Sequence, residues 1–124
     1  RAGMDNFTKT AAFEWAHAGV TVNAVAPGWI ASSGMDTYDG AMQAIIPKLK
    51  DSVPLKRLGS EAEVSAAIVF LLSPAAAFIS GASLRIDGAA SQGSGAWPLP
   101  PAKNNDAFDG FHRAVTPEIL KAGE

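Results

Sequence analysis

Residues 27–33, Pro-Gly-Trp-Ile-Ala-Ser-Ser, are the stretch whose residue types and placement could do chemistry. They follow the string V-T-V-N-A-V, in which Val20, Val22 and Val25 are β-branched and no charge intervenes. That pattern predicts a strand covered on both faces, as in a parallel sheet. Pro27 and Gly28 end it. In an open α/β sheet, ligands gather beyond the carboxyl ends of the strands, where backbone groups released from the ladder can reach them. Residues 27–33 are therefore a candidate ligand rim. Other chemistry is sparse. With no cysteine there is no disulfide, thiolate nucleophile or cysteine-based metal site. His17 and His112 are too far apart in sequence to suggest a metal cluster and read as surface or capping residues. Gly88, Gly93 and Gly95 imitate a phosphate loop, but their spacing is wrong and Trp97-Pro98 follows where a helix should start, so this is read as a flexible tail.

The elements that must position the rim follow from periodicity. Over residues 2–18, Met4, Phe7, Ala11, Trp15 and Ala18 recur at spacings of three and four and predict the buried face of a helix, opposite Asp5, Lys9 and Glu14. Gly19 stands where a left-handed C-terminal cap is wanted. After the rim, Met42, Ile45, Ile46 and Leu49 share a helical face that Pro47 interrupts, which predicts two short helices within residues 35–50. Polar outside and apolar inside, this segment is either a lid over a pocket or a packed connector; its place after the rim favours a lid. Ser60 and Glu63 form a capping box before a helix whose buried face is Val64, Ala67, Ile68, Leu71 and Leu72, stopped by Ser73-Pro74. S-L-R-I-D at 83–87 reads as a short strand ended by Gly88. Helix, strand, small helices, helix, strand is the order of a parallel α/β sheet. Beyond residue 89 the composition turns to Gly, Ser, Pro and Asn, so residues 90–124 are expected to be an irregular tail, with Phe108, Phe111 and Ile119 as possible anchors to a surface.

With 124 residues, 48% hydrophobic, the chain has room for one small core. A formal net charge of -2 with scattered Lys and Arg argues against a nucleic-acid groove or an anionic membrane surface. The apolar run at residues 66–72 is far too short to span a bilayer, and no signal-peptide pattern is present, so a cytoplasmic setting is the expectation. The sequence opens on Arg1, not Met, inside a helical pattern, which predicts a piece of a larger protein.

Taken together, the opening R-A-G-M-D-N-F-T-K-T-A-A-F-E-W-A, the rim V-N-A-V-A-P-G-W-I, the segment P-L-K-R-L-G-S-E-A-E-V and the ending F-I-S-G-A-S-L-R-I-D-G resemble the C-terminal half of a short-chain dehydrogenase/reductase, over residues 1–88. The Arg-Ala-Gly opening and W-I-A-S-S look closest to enoyl-CoA reductase-like and citronellol dehydrogenase-like members. The resemblance implies an α/β fold, the C-terminal half of a Rossmann-type doubly wound parallel sheet over residues 1–89, with rim and lid at 26–52. It implies an NAD or NADP cofactor, with NADP preferred, and hydride transfer to or from a carbonyl, an alcohol or a 2-enoyl thioester. Pro27 and Gly28 would lie against the nicotinamide ring, the Ile30 backbone on its carboxamide, and Ser32 near the carboxamide or the pyrophosphate. A backbone N–H and C=O can read an amide's acceptor and donor together, and Gly28 would let the main chain approach closely. Trp29 either shapes the substrate side of the pocket or is a core aromatic; Met35 belongs with the substrate pocket. Without the resemblance, Pro27-Gly28 reads as an ordinary turn and Ser32-Ser33 as a solvated loop.

Arg1 falls where the family has the lysine of its Tyr-x-x-x-Lys motif, and so becomes the candidate catalytic and ribose-binding cation. Arginine keeps the charge that lowers a neighbouring tyrosine's pKa but cannot pass on a proton near neutral pH. In the isolated chain it reads as a solvated terminus. The family's Gly-rich turn, its catalytic serine or asparagine, the residues that choose NAD or NADP, and the tyrosine four positions upstream are not among these residues. Tyr38 is the only tyrosine, and Met42 stands four residues beyond it. Two readings follow: part of a complete oxidoreductase, or a catalytically inactive truncated half-domain acting only through subunit association. The family's habit implies a homodimer or homotetramer, built through the first helix and through the Ser60 helix with the last strand.

Overall fold

The computed structural model describes residues 2–93, 100–108 and 116–121. Helix α1, Ala2–Trp15, passes through a 3-10 turn at Ala16–Ala18 and is closed by Gly19 at φ 74°. The Gly19 N–H donates to the Ala16 carbonyl and the Val20 N–H to that of Trp15, so the cap predicted from glycine satisfies two free carbonyls. Strand β1, Ala24–Pro27, pairs in parallel with β4, Ser83–Ile86, in the register Ala24 to Ser83 through Pro27 to Ile86. The parallel α/β arrangement is thus present.

The strand begins later than its valines suggest. Residues 20–23 are held by side chains and loop bonds instead: the Val22 N–H donates to Ser80 Oγ, the Gly81 N–H to the Val22 carbonyl, and Asn23 donates to the Ile79 carbonyl while accepting from the Ala82 N–H. Nor is β1 covered on both faces, since Ala26 and Pro27 are exposed and Ala24 and Val25 only half-buried. The reason is pairing: among the described residues β1 has one neighbour, and its other edge is open. Ala24 and Gly28 turn their N–H groups towards β4, so Pro27, which has none, presents its missing donor to that open edge, where a proline is tolerated.

Helix α1 also packs differently from its periodicity. Thr8, Ala11 and Ala12 are buried, while Met4, Phe7 and Trp15 are exposed, Phe7 and Trp15 meeting edge to face at 6.2 Å. Small side chains let the helix settle close to the 79–82 turn, where Gly81 faces the Ala12 methyl, and the large ones on or beside the same face stay uncovered. The same holds for α3, Glu61–Leu72, which buries Ala62 and leaves Ile68, Val69, Phe70 and Leu72 exposed. Its capping box is as expected: Ser60 Oγ accepts from the Glu63 N–H at 3.2 Å and the Ser60 N–H donates to Glu63 Oε2 at 2.8 Å.

The segment after the rim is a 3-10 turn at Ser33–Thr37, helix α2 at Gly40–Ile45, and a 3-10 stretch at Ile46–Ser52 that starts where Pro47 denies an α-helical hydrogen bond. The break rotates the apolar face, so Ile46 is buried with Met35 and Val53 while Met42 and Ile45 are exposed. A pairing that the sequence did not announce, β2 at Ile30–Ala31 with β3 at Gly59–Ser60, ties the rim to the start of α3. Helix α4, Glu118–Lys121, adds a regular turn to the tail.

Candidate functional site

The rim and the segment after it enclose a cleft of about 760 Å³. Pro27, Gly28, Trp29, Ile30, Ser32 and Met35 all line it, so the structure brings these residues together around one cleft. Arg1 lies outside the described residues. Met4 and Asp5 from α1 and Ser83 from β4 complete one side, Tyr38, Met42 and Leu49 the other. Asp5, which periodicity places opposite the apolar face of α1, borders the cleft, and no motif signals this. Lys9, hydrogen-bonded to it at 2.7 Å one turn along, holds its carboxyl below the usual carboxylate range.

Each rim residue owes its place to backbone constraints. A Cβ on Gly28 would stand 2.8 Å from Asp87 Cβ and 2.9 Å from Asp87 Cα. Glycine is required there by the approach of the two strand ends. Gly28→Ala must push backbone apart and is expected to destabilise by about 1–3 kcal/mol, measurable as a shift in denaturant midpoint without a change of slope. Trp29 is 46% exposed and borders both this cleft and a smaller one, about 250 Å³, towards Arg57 and Asp87; it is not a core aromatic. Met35 is buried against the cleft.

Ile30 is set by the β2–β3 pairing. The Gly59 N–H donates to the Trp29 carbonyl at 2.9 Å. Peptide groups alternate sides along a strand, so the Ile30 N–H and C=O turn away from β3. The rim therefore presents one donor and one acceptor together, three bonds apart, as an amide ligand would require. From the same Pro27, Ile30 and Ser32 a second groove of about 540 Å³ leads to Glu61, Val64 and Ser65. The N-terminus of α3 on this side is capped by its own Ser60 and carries Glu61 and Glu63 in its first turn, so it does not favour a phosphate.

Glu63 is a junction. Arg57 donates to both of its oxygens, at 2.9 and 2.7 Å, and the Ser60 N–H and the Phe108 N–H also reach it. The Arg57 hydrogen bonds, ahead of those from the backbone, hold its carboxyl below the usual range. The folded value lies below the unfolded one, so this contribution is complete above the ordinary glutamate range and is lost as pH falls through the lowered value. Thermal midpoints measured from neutral pH downward should therefore fall in the acid range, and Glu63→Gln should flatten that fall.

Among the described residues no group of His, Cys, Asp and Glu could hold a metal ion, and no helix is long and apolar enough to cross a membrane. Residues 1–91 match the family described as Enoyl-(Acyl carrier protein) reductase. The chain is 43% identical over 88 residues to nodulation protein G of Azospirillum brasilense and 42% identical over 88 residues to a 3-oxoacyl-(acyl-carrier-protein) reductase of Vibrio harveyi; each match covers 71% of this chain and 35% of the relative. Among solved structures, the citronellol catabolism dehydrogenase of Pseudomonas aeruginosa PAO1 is 66% identical, with a TM-score of 0.59, over 74% of this chain and 33% of that one. The chain spans about a third of the length of the relatives it matches.

Proposed function

The chain belongs to the short-chain dehydrogenase/reductase family, and from that premise we propose that the full-length protein is an NAD(P)-dependent oxidoreductase acting on a carbonyl, an alcohol or a 2-enoyl thioester. This chain contributes the nicotinamide rim, one wall of the substrate pocket and its lid. The observation that carries the reading is the Ile30 peptide, whose N–H and C=O turn away from β3 at the border of the cleft. A carboxamide is the ligand group that such a pair fits. The carboxylates in the first turn of α3 make the same rim a poor phosphate site, which favours the nicotinamide end of a dinucleotide over its pyrophosphate.

When bound, the nicotinamide supplies or accepts the hydride. The chain's own residues orient and exclude. Ile30 fixes the carboxamide and with it the face of the ring turned to the cleft, Ser32 adds a hydroxyl beside it, and Pro27 and Gly28 form a flat backing. Trp29, Met35 and Met42 give the cleft an apolar wall that keeps water from the reacting carbon. Arg1, in the position of the family's lysine, would bind the ribose and hold a neighbouring tyrosine's pKa down from a distance without relaying its proton. The part of the cleft beside β1 borders an open strand edge, where the family's sheet continues, so a further parallel strand would narrow it to the end nearest Pro27 and Met35.

The exposed apolar faces of α1 and α3 suit burial against other subunits, and we propose a homo-oligomer, with NADP as the preferred nucleotide and a cytoplasmic setting. The activity is tested by following oxidation of NADPH and NADH by the full-length protein with ketones, aldehydes and 2-enoyl thioesters. Turnover with one of these classes supports the proposal; none with any of them sinks it.

A further inference from the structure

The C-terminal tail is bonded both to the lid and to the segment just beyond it, and nothing in the reading of the cleft requires that. Just beyond the lid, the Asn105 side chain donates to the Leu55 carbonyl, Arg57 Nε donates to the Asn105 carbonyl, and Phe108 exchanges hydrogen bonds with the capping box, its N–H to Glu63 and its carbonyl from Ser60 Oγ. At the lid's near end Asp36, in the turn that follows the rim, accepts the N–H of Glu118 at 3.2 Å on one oxygen and that of Ile119 at 3.1 Å on the other. Pro117, next to them, is fully buried, and α4 packs on both 3-10 stretches of the lid.

A four-residue helix has no stability of its own. Its first N–H groups need acceptors, and here the acceptor is a carboxylate more than eighty residues away in sequence. The coupling is reciprocal: whatever order Asp36 lends the tail, the tail lends the lid. We propose that residues 116–121 are a strap that holds the lid closed over the cleft, with Asp36 as the positioning residue that fastens it. The proposal rests on the reading of the cleft as the substrate pocket. A pocket whose lid is held from outside binds its substrate with less ordering left to do, so the strap sets apparent affinity for the acceptor and leaves the chemical step alone.

The test is hydrogen exchange followed by mass spectrometry on the full-length protein, with acceptor kinetics on the same samples. Asp36 is exposed, so Asp36→Ala should fold, and protection of α3 serves as the control for that. Amides of residues 46–52 should exchange roughly 5- to 30-fold faster in Asp36→Ala, the size of a lost helix cap, and likewise in a chain ended after residue 115. Asp36→Asn, which keeps one acceptor oxygen, should recover part of the protection. KM for the acceptor should rise with little change in kcat. Unchanged exchange in residues 46–52 after removal of the tail would overturn the strap. Faster exchange with an unchanged KM would keep the strap and defeat the assignment of the cleft as a substrate pocket.

Discussion

Arg1→Ala in the full-length protein is expected to lower kcat/KM by roughly 100-fold or more, the usual loss when a general acid–base group is put out of tune, whereas Arg1→Lys should retain or improve activity. A fixed cation beside a tyrosine stabilises the phenolate, so removing it raises the tyrosine's pKa and moves the pH–rate profile of the alanine variant to the alkaline side. Lysine restores the charge and adds a proton that can be passed on. Steady-state kinetics across pH decide it. An alanine variant with wild-type rates and an unmoved profile would mean that the alignment of Arg1 with the family's lysine carries no chemistry.

The second large effect concerns the rim. Ile30→Pro removes the one N–H proposed to read the carboxamide while sparing the bond between the Gly59 N–H and the Trp29 carbonyl that anchors β2 to β3. A lost hydrogen bond to a group then left unsatisfied costs about 1–3 kcal/mol, or roughly 5- to 150-fold in the dissociation constant of the reduced cofactor. Ile30→Val leaves the peptide intact and should bind almost as the parent does. The discriminating ligand is a nucleotide that lacks the nicotinamide: calorimetry should show its affinity unchanged by Ile30→Pro. Equal losses for the complete and the truncated nucleotide would place the effect in folding and not in recognition.

How much of this the sequence discloses depends on whether the information is local. The Ser60–Glu63 capping box, the Gly19 cap, the stop at Ser73-Pro74 and the break at Pro47 are decided by a few neighbouring residues, and each is found where the sequence puts it. The rim residues collect around one cleft because a strand end followed by Pro-Gly can go little further. Burial was less legible. Met4, Phe7 and Trp15 obey helical periodicity, yet the helix packs through Thr8, Ala11 and Ala12, because periodicity reports an apolar face and not what covers it. Val25 reads as buried from its type but lies in a strand with one open edge. The β2–β3 pairing and Asp36 with α4 were hidden for a third reason: each joins residues distant in the chain through backbone groups, which carry no sequence signature.

Hydride transfer itself can be followed by running the full-length protein with NADPH carrying deuterium at C4 of the nicotinamide and recovering the product of a ketone or 2-enoyl thioester reaction. Deuterium on the former carbonyl carbon, or on the β-carbon of the former enoyl group, from one face of the ring only, is the result expected if the rim at Pro27, Gly28 and Ile30 fixes how the nicotinamide lies against the cleft. Failure of every acceptor to take up the label, with no binding of either reduced nucleotide, would contradict the assignment of this cleft to nicotinamide chemistry.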